Sequence, residues 1–217
     1  HSPDVGHDER FRVNPYGFAE HFRNRVTMPS VVFQNHVRDM RASLQVHDRL
    51  VPGTLMADAD IDELPETIDP IRDAPQVIAL KLMKRYLNLR YADRDEKRPV
   101  SVYLSKVAVE VPLTPYGICA QLEGFAGELD RRMEAALVSG RWPEERNPAL
   151  REENFNDRWP KSDREMKLFR SDLKHLMSEL DRARSSALAD TRKIFDDLFG
   201  ERVSEKAVRA YIDRLSS

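Results

Sequence analysis

Apolar residues recur at three- and four-residue steps from Ile118 through Leu122, Phe125, Leu129 and Met133 to Leu137, and Gly140 follows where such a run can close. A stripe of that length demands an amphipathic helix whose apolar face is covered by another element. The cover lies downstream. Ser162, with Glu165 three residues on, forms a capping box, and Met166, Phe169, Leu173, Met177 and Leu180 follow at the same period. Two long helices facing each other, in a chain with only 8 glycines, predict a mainly α protein built as a helical bundle.

The rest of the chain divides around them. Residues 1–13 are polar and read as a loop. Residues 14–50 read as a helical segment: Asn14-Pro15 makes an N-cap and first helical position, Phe18, Phe22 and Val26 follow, and Val32, Val37, Met40 and Leu44 suggest a second helix. Residues 51–75, rich in proline and acid, read as a connector, and 76–217 as a helical domain. In its first helix Ile78, Leu82, Tyr86 and Leu89 predict one stripe, with Lys81, Lys84 and Asn88 on another. The apolar run from Val100 to Val111 reads by length as a buried helix, 141–160 as a loop holding both tryptophans, and Ala187 to Phe199 as a helix running to Gly200. Ser204 caps a last helix through Val208, Tyr211, Ile212 and Leu215.

Charge and motif content exclude several classes. With 35 Lys+Arg against 37 Asp+Glu, the net charge of -2 argues against a dedicated nucleic-acid binder. No apolar run reaches membrane-spanning length. The one cysteine, Cys119, fits a reducing cytoplasm and reads as a small core residue rather than a nucleophile. None of the 6 histidines forms an H-x-x-x-H or H-E-x-x-H pair, and there is no G-x-S-x-G elbow, P-loop or G-x-G-x-x-G. Asp58-Ala59-Asp60 has the spacing by which two strand carboxylates hold Mg²⁺, but it sits between Pro52 and Pro65 among further acids and reads as a solvated loop. We therefore place no catalytic residue and no metal ligand in this chain.

The segment from Lys81 to Arg98 is the exception. Lys81, Lys84, Arg85, Arg90, Arg94, Lys97 and Arg98 face only Asp93, Asp95 and Glu96, a local excess of four positive charges. Composition alone favours a solvated face. The alternative is a phosphate site, in which the Lys84 ammonium acts as a point charge and the Ser101 hydroxyl donates beside it.

Several segments, taken together, resemble the bacterial cGAS/DncV-like nucleotidyltransferases (CD-NTases). Asn14-Pro15-Tyr16-Gly17-Phe18-Ala19-Glu20-His21-Phe22 is similar to the family's N-P-x-G-[FY]-A-x-x-F helix start. Leu64-Pro65-Glu66 and the later Leu82-Met83-Lys84-Arg85 look like its LPE connector and L-x-K-R helix, and Pro99-Val100-Ser101 like its P-[IV]-S segment. Asn147-Pro148, then Glu153-Asn154-Phe155 and Trp159, resemble its N-P…E-N-F…W stretch, and Leu198-Phe199-Gly200 its L-F-G. The resemblance implies a piece of an α+β enzyme that makes cyclic di- or oligonucleotide signals from ATP, GTP or other nucleoside triphosphates in antiphage defence (CBASS). It also implies Lys84 and Ser101 as contacts to the donor's phosphates.

The family's Gly-Ser loop, strand-borne D-x-D pair and third carboxylate have no counterpart here, and Asp4 lies in a polar stretch without a strand pattern. The chain opens at His1-Ser2-Pro3-Asp4 with neither an initiator Met nor a signal-peptide pattern. Both features lead us to expect the C-terminal helical portion of the enzyme, inactive alone. The catalytic sheet would be mostly absent and Mg²⁺ held by the missing N-terminal half. Nucleoside triphosphates, that half and CBASS accessory proteins would be the partners, in the cytoplasm. A rival reading is a stand-alone helical interaction module or degenerate relative; another is a transferase that adds nucleotides to RNA.

Overall fold

The computed structural model of the chain describes residues 14–26, 74–203 and 205. The segment from Val32 to Leu44, the body of the connector with Asp58-Ala59-Asp60 and Leu64-Pro65-Glu66, Asp4 and the final helix lie outside the described residues.

Six helices and a short hairpin form these residues: α1 (Pro15–Arg25), α2 (Pro75–Arg90), α3 (Ser101–Glu110), α4 (Ile118–Ser139), β1 (Arg146–Asn147), β2 (Leu150–Asn154), α5 (Asp163–Ser185) and α6 (Leu188–Phe199). Glu201–Val203 add a further helical turn. None of these helices is long and apolar enough to cross a membrane.

The two long helices form the frame, as their stripes predict. Leu122, Phe125, Leu129 and Met133 of α4 bury against a core shared with Phe169, Leu173, Leu176 and Leu180 of α5. Each fully buried side chain of this size contributes roughly 1.5–3 kcal/mol of transfer free energy. The ion pairs along the seam fix the relative direction. Arg184 near the end of α5 reaches Glu123 near the start of α4, and Arg170 reaches Asp130 and Glu134, so the helices run antiparallel. Ser162 caps α5 by accepting from the Glu165 amide at 3.2 Å, while the Glu165 carboxylate returns to the Lys161 amide rather than to that of Ser162. Gly140 closes α4 in the left-handed region, at φ 64°.

Helix α2 departs from the expected stripe. Its buried residues are Gln76, Ala79, Leu80, Met83, Tyr86 and Leu87, whereas Ile78 and Leu82 are half-buried and Leu89 is exposed. The reason is its position. α2 packs against α3, α4 and α6 together, so a wide face including small Ala79 is covered, not one narrow row.

The stretch 141–160 is likewise more than a loop. β1 and β2 pair antiparallel around a turn at Pro148-Ala149, although their sequences are too polar to read as strands. The hairpin is held from outside. The Asn14 amide and the Asn147 side chain both donate to the Glu153 carboxylate, at 3.1 and 2.6 Å. The Phe18 ring meets Phe155 edge-on at 4.8 Å. Asn14 also caps α1, accepting from the Gly17 amide at 2.9 Å. Family-like motifs 130 residues apart in sequence therefore meet as one clasp. The two tryptophans of this stretch separate: Trp159 is buried in the core, against Tyr103 and Phe169, while Trp142 is 53% exposed.

Beneath the hairpin lies a charged cluster. Lys106, buried on α3, pairs with Glu110 at 2.9 Å and Glu145 at 2.6 Å. Arg132 of α4 reaches Glu110, Glu128 and Glu145 at 2.7–2.8 Å. A charge this deep is tolerated only when paired on several sides. The arrangement ties α3, α4 and the hairpin together.

Candidate functional site

Lys84 follows the fully buried Met83 on α2 and emerges half-buried toward the start of α3. Its Nζ donates to the Ser105 hydroxyl at 3.4 Å, and that hydroxyl donates in turn to the Ser101 carbonyl at 2.9 Å. Ser101 is the first residue of α3 and is exposed; Ser105 lies one turn on, on the same face. The structure therefore brings the two sequence-selected residues to one corner, with Ser105 between them.

The start of α3 is open. Its N-cap is Val100, which has no side chain able to accept from the first amides, and the first bonded amide is that of Leu104, on the Val100 carbonyl. Uncapped amides and the helix dipole give such an end about half a positive charge. Among the described residues no carboxylate pairs with Lys84 or with Arg98, which precedes Ser101 by three. The Lys84 amine accordingly sits below its ordinary range, held down first by burial and second by the nearby Arg98 guanidinium. A half-buried cation beside a second cation and an open helix start is suited to an anion, above all one with several oxygens.

The remaining charges of the basic segment are committed elsewhere. Arg90 and Arg94 converge on Asp172 of α5, which is 1% exposed, at 3.0 and 2.7 Å. Arg94 also lies over the Tyr91 ring at 4.8 Å. Arg85 turns away from Lys84 and donates to the Phe199 carbonyl at the end of α6, 2.9 Å off. There it lies against Gly200, whose φ of 83° ends that helix. Much of the local positive excess is structural, and the spot around Lys84 stands apart from it.

A shallow depression elsewhere is lined by Arg94, Glu96, Arg164, Lys167 and Leu168. Neither Lys84 nor Ser101 belongs to it. Its arginines are already engaged, Arg94 by Asp172 and Arg164 by Glu96 at 2.7 Å, so we give it less weight than its shape invites.

No group of three or more His, Cys, Asp or Glu among the described residues could hold a metal ion. His21 is half-buried and stacks near Phe18, and His175 is exposed, without a metal-ligating companion. Cys119 is not a core residue as expected: it is an exposed residue in the first turn of α4. Its thiol is nonetheless pushed up, first by local burial and then by Glu123, which disfavours the thiolate. Sequence reasoning missed Ser105 and Arg98 as parts of the site. The available signals were the four-residue step from Ser101 to Ser105 and the position of Arg98 just before an uncapped helix.

No family model matches the chain. It is 30% identical over 165 residues to the cyclic dinucleotide synthase CdnG of Bradyrhizobium diazoefficiens, a match covering 75% of this chain and 40% of that protein. The solved structure of the CD-NTase CdnG from Bradyrhizobium diazoefficiens in complex with GTP superposes with a TM-score of 0.67 and 26% identity, over 92% of this chain and 56% of that one. The chain thus spans 40% of the length of the relative it matches in sequence.

Proposed function

The chain is a relative of the CD-NTases, with the fold of a helical portion of one, and on that premise we propose that it forms one wall of a nucleotidyltransferase that joins nucleoside triphosphates into cyclic nucleotides. Lys84 and Ser101 hold the donor nucleotide by its phosphates. The observation that supports this reading most directly is the Lys84 ammonium, half-buried beside the open start of α3 and without a carboxylate among the described residues. The GTP bound in the CdnG structure is consistent with it.

In such a reaction a ribose hydroxyl attacks the donor's α-phosphate in line and pyrophosphate leaves. The part of this chain is positioning. The ammonium offsets charge on the departing phosphates, the Ser101 hydroxyl donates to one of their oxygens, and the first amides of α3 face the same anion. Ser105 keeps the Lys84 side chain directed to that corner. The described residues contain no cluster fitted to Mg²⁺, so no metal-dependent step is assigned to them. A cytoplasmic role in antiphage signalling belongs to the same proposal.

The test is the affinity of the complete protein for GTP and ATP. Lys84→Ala is expected to weaken it at least about tenfold, the scale of a lost charge-assisted hydrogen bond, and Ser101→Ala by about three- to tenfold. Unchanged affinity in Lys84→Ala would withdraw the residue from the site.

A further inference from the structure

Arg98 is not among the residues that the sequence patterns single out, yet it is better placed than most of the basic segment. The connector that carries it is anchored at both ends: Arg90 and Arg94 are locked to Asp172 on one side, and on the other Pro99 is buried directly before the N-cap of α3. Between these anchors Arg98 is exposed, three residues ahead of Ser101 and without a carboxylate partner among the described residues. Glu96, an acid of the same connector, is turned to Arg164 instead. Two cations and an uncapped helix start therefore share one corner that its neighbouring acids do not neutralise.

We infer that Arg98 is a further specificity residue of this corner, and that with Lys84 and the α3 amides it selects ligands by phosphate number. The inference rests on the phosphate-site reading above. A guanidinium offers a planar fork of donors to two phosphate oxygens, which an ammonium cannot, so the pair suits a chain of phosphates rather than a single one. Lys84 and the open amides hold one phosphate group, and Arg98, on the connector ahead of them, holds the next. The side chains at the corner supply cations and hydroxyls only, so the identity of the base is read elsewhere. A diphosphate fills part of the site and a monophosphate less.

The experiment measures dissociation constants of GTP, GDP, ATP and ADP on the complete protein, as wild type, Lys84→Ala, Arg98→Ala and Arg98→Lys. Wild type is expected to favour triphosphate over diphosphate at least tenfold for the base it prefers. Arg98→Ala should cut that preference by about tenfold, with Arg98→Lys restoring only part of it. Arg98 is exposed, so an unchanged thermal melt of its variants confirms that the fold is intact. If Lys84→Ala weakens binding but Arg98→Ala leaves the triphosphate-to-diphosphate ratio unchanged, the inference is overturned and the phosphate-site reading stands. If neither variant changes binding, both fall. A wild-type protein that does not distinguish the two phosphate lengths also overturns the inference.

Discussion

Lys84 and Arg85 are adjacent in one family-like motif, and the fold sends them to different duties. Arg85 donates to the last carbonyl of α6, a contact worth about 1 kcal/mol. Arg85→Ala should lower the melting temperature by a few degrees while leaving nucleotide affinity alone. Lys84 is the opposite case. Its amine is held below the ordinary lysine range by burial and by Arg98, which means that folding disfavours its charged form. The sign follows. At neutral pH, removing that charge while keeping the apolar stem relieves a cost, so Lys84→Met is expected to melt at the same temperature or higher while losing nucleotide affinity. Calorimetry of both variants decides the matter, and a Lys84→Met protein that unfolds several degrees early would show that the residue serves the fold. Asp172 has a third kind of duty. Asp172→Ala would strand Arg90 and Arg94, both partly solvated, at an expected cost of about 2–3 kcal/mol in denaturant unfolding.

Among the elements, the clasp between α1 and the hairpin explains why the motifs at the two ends read as a pair. Gly17 is required by contact: a Cβ there would lie 2.7 Å from Ala149 Cβ and 2.5 Å from the Asn14 side chain that caps its own helix. Gly17→Ala should therefore release α1 from the hairpin, at about 1–3 kcal/mol, visible as faster amide exchange in 15–25. This is where sequence reading stopped short. The cap at Asn14 is legible because its partner is three residues away, but the strands at Arg146–Asn147 and Leu150–Asn154 depend on a glutamate that binds an amide 139 residues distant. The charged cluster behind the hairpin gives a pH signature. Glu128 is pulled down to about 2, first by Arg131 and also by Arg132, against some desolvation; burial raises Glu110, but Lys106 and Arg132 outweigh it. Both carboxylates are depressed, so their contribution is complete above their ordinary value of 4.5 and is lost as pH falls from there toward about 2. Thermal melts between about pH 5 and 2 should fall in wild type and fall less steeply in Glu128→Gln, which starts lower at neutral pH.

For the molecule as a whole, legibility followed how many neighbours each element has. The stripes of α4 and α5 could be read because each covers mainly the other, whereas α2 was misread because three helices surround it. The site was legible only in part. Lys84 and Ser101 came from resemblance, while their connection through Ser105 depends on how α2 approaches α3, which no local spacing encodes. What these elements assemble is asymmetric. The described residues contain a cationic corner suited to a phosphate chain and no cluster of metal-ligating side chains, and the chain spans 40% of its relative. Phosphoryl transfer needs the donor's charge offset and the attacking hydroxyl activated, and this corner supplies only the first. The 217-residue chain, incubated with ATP, GTP and Mg²⁺, is therefore expected to form no phosphodiester bond by chromatography, whereas the complete protein should form cyclic product that Lys84→Ala diminishes. Mg²⁺-dependent product from the 217 residues alone would place catalytic carboxylates within this chain and end the division of labour drawn here.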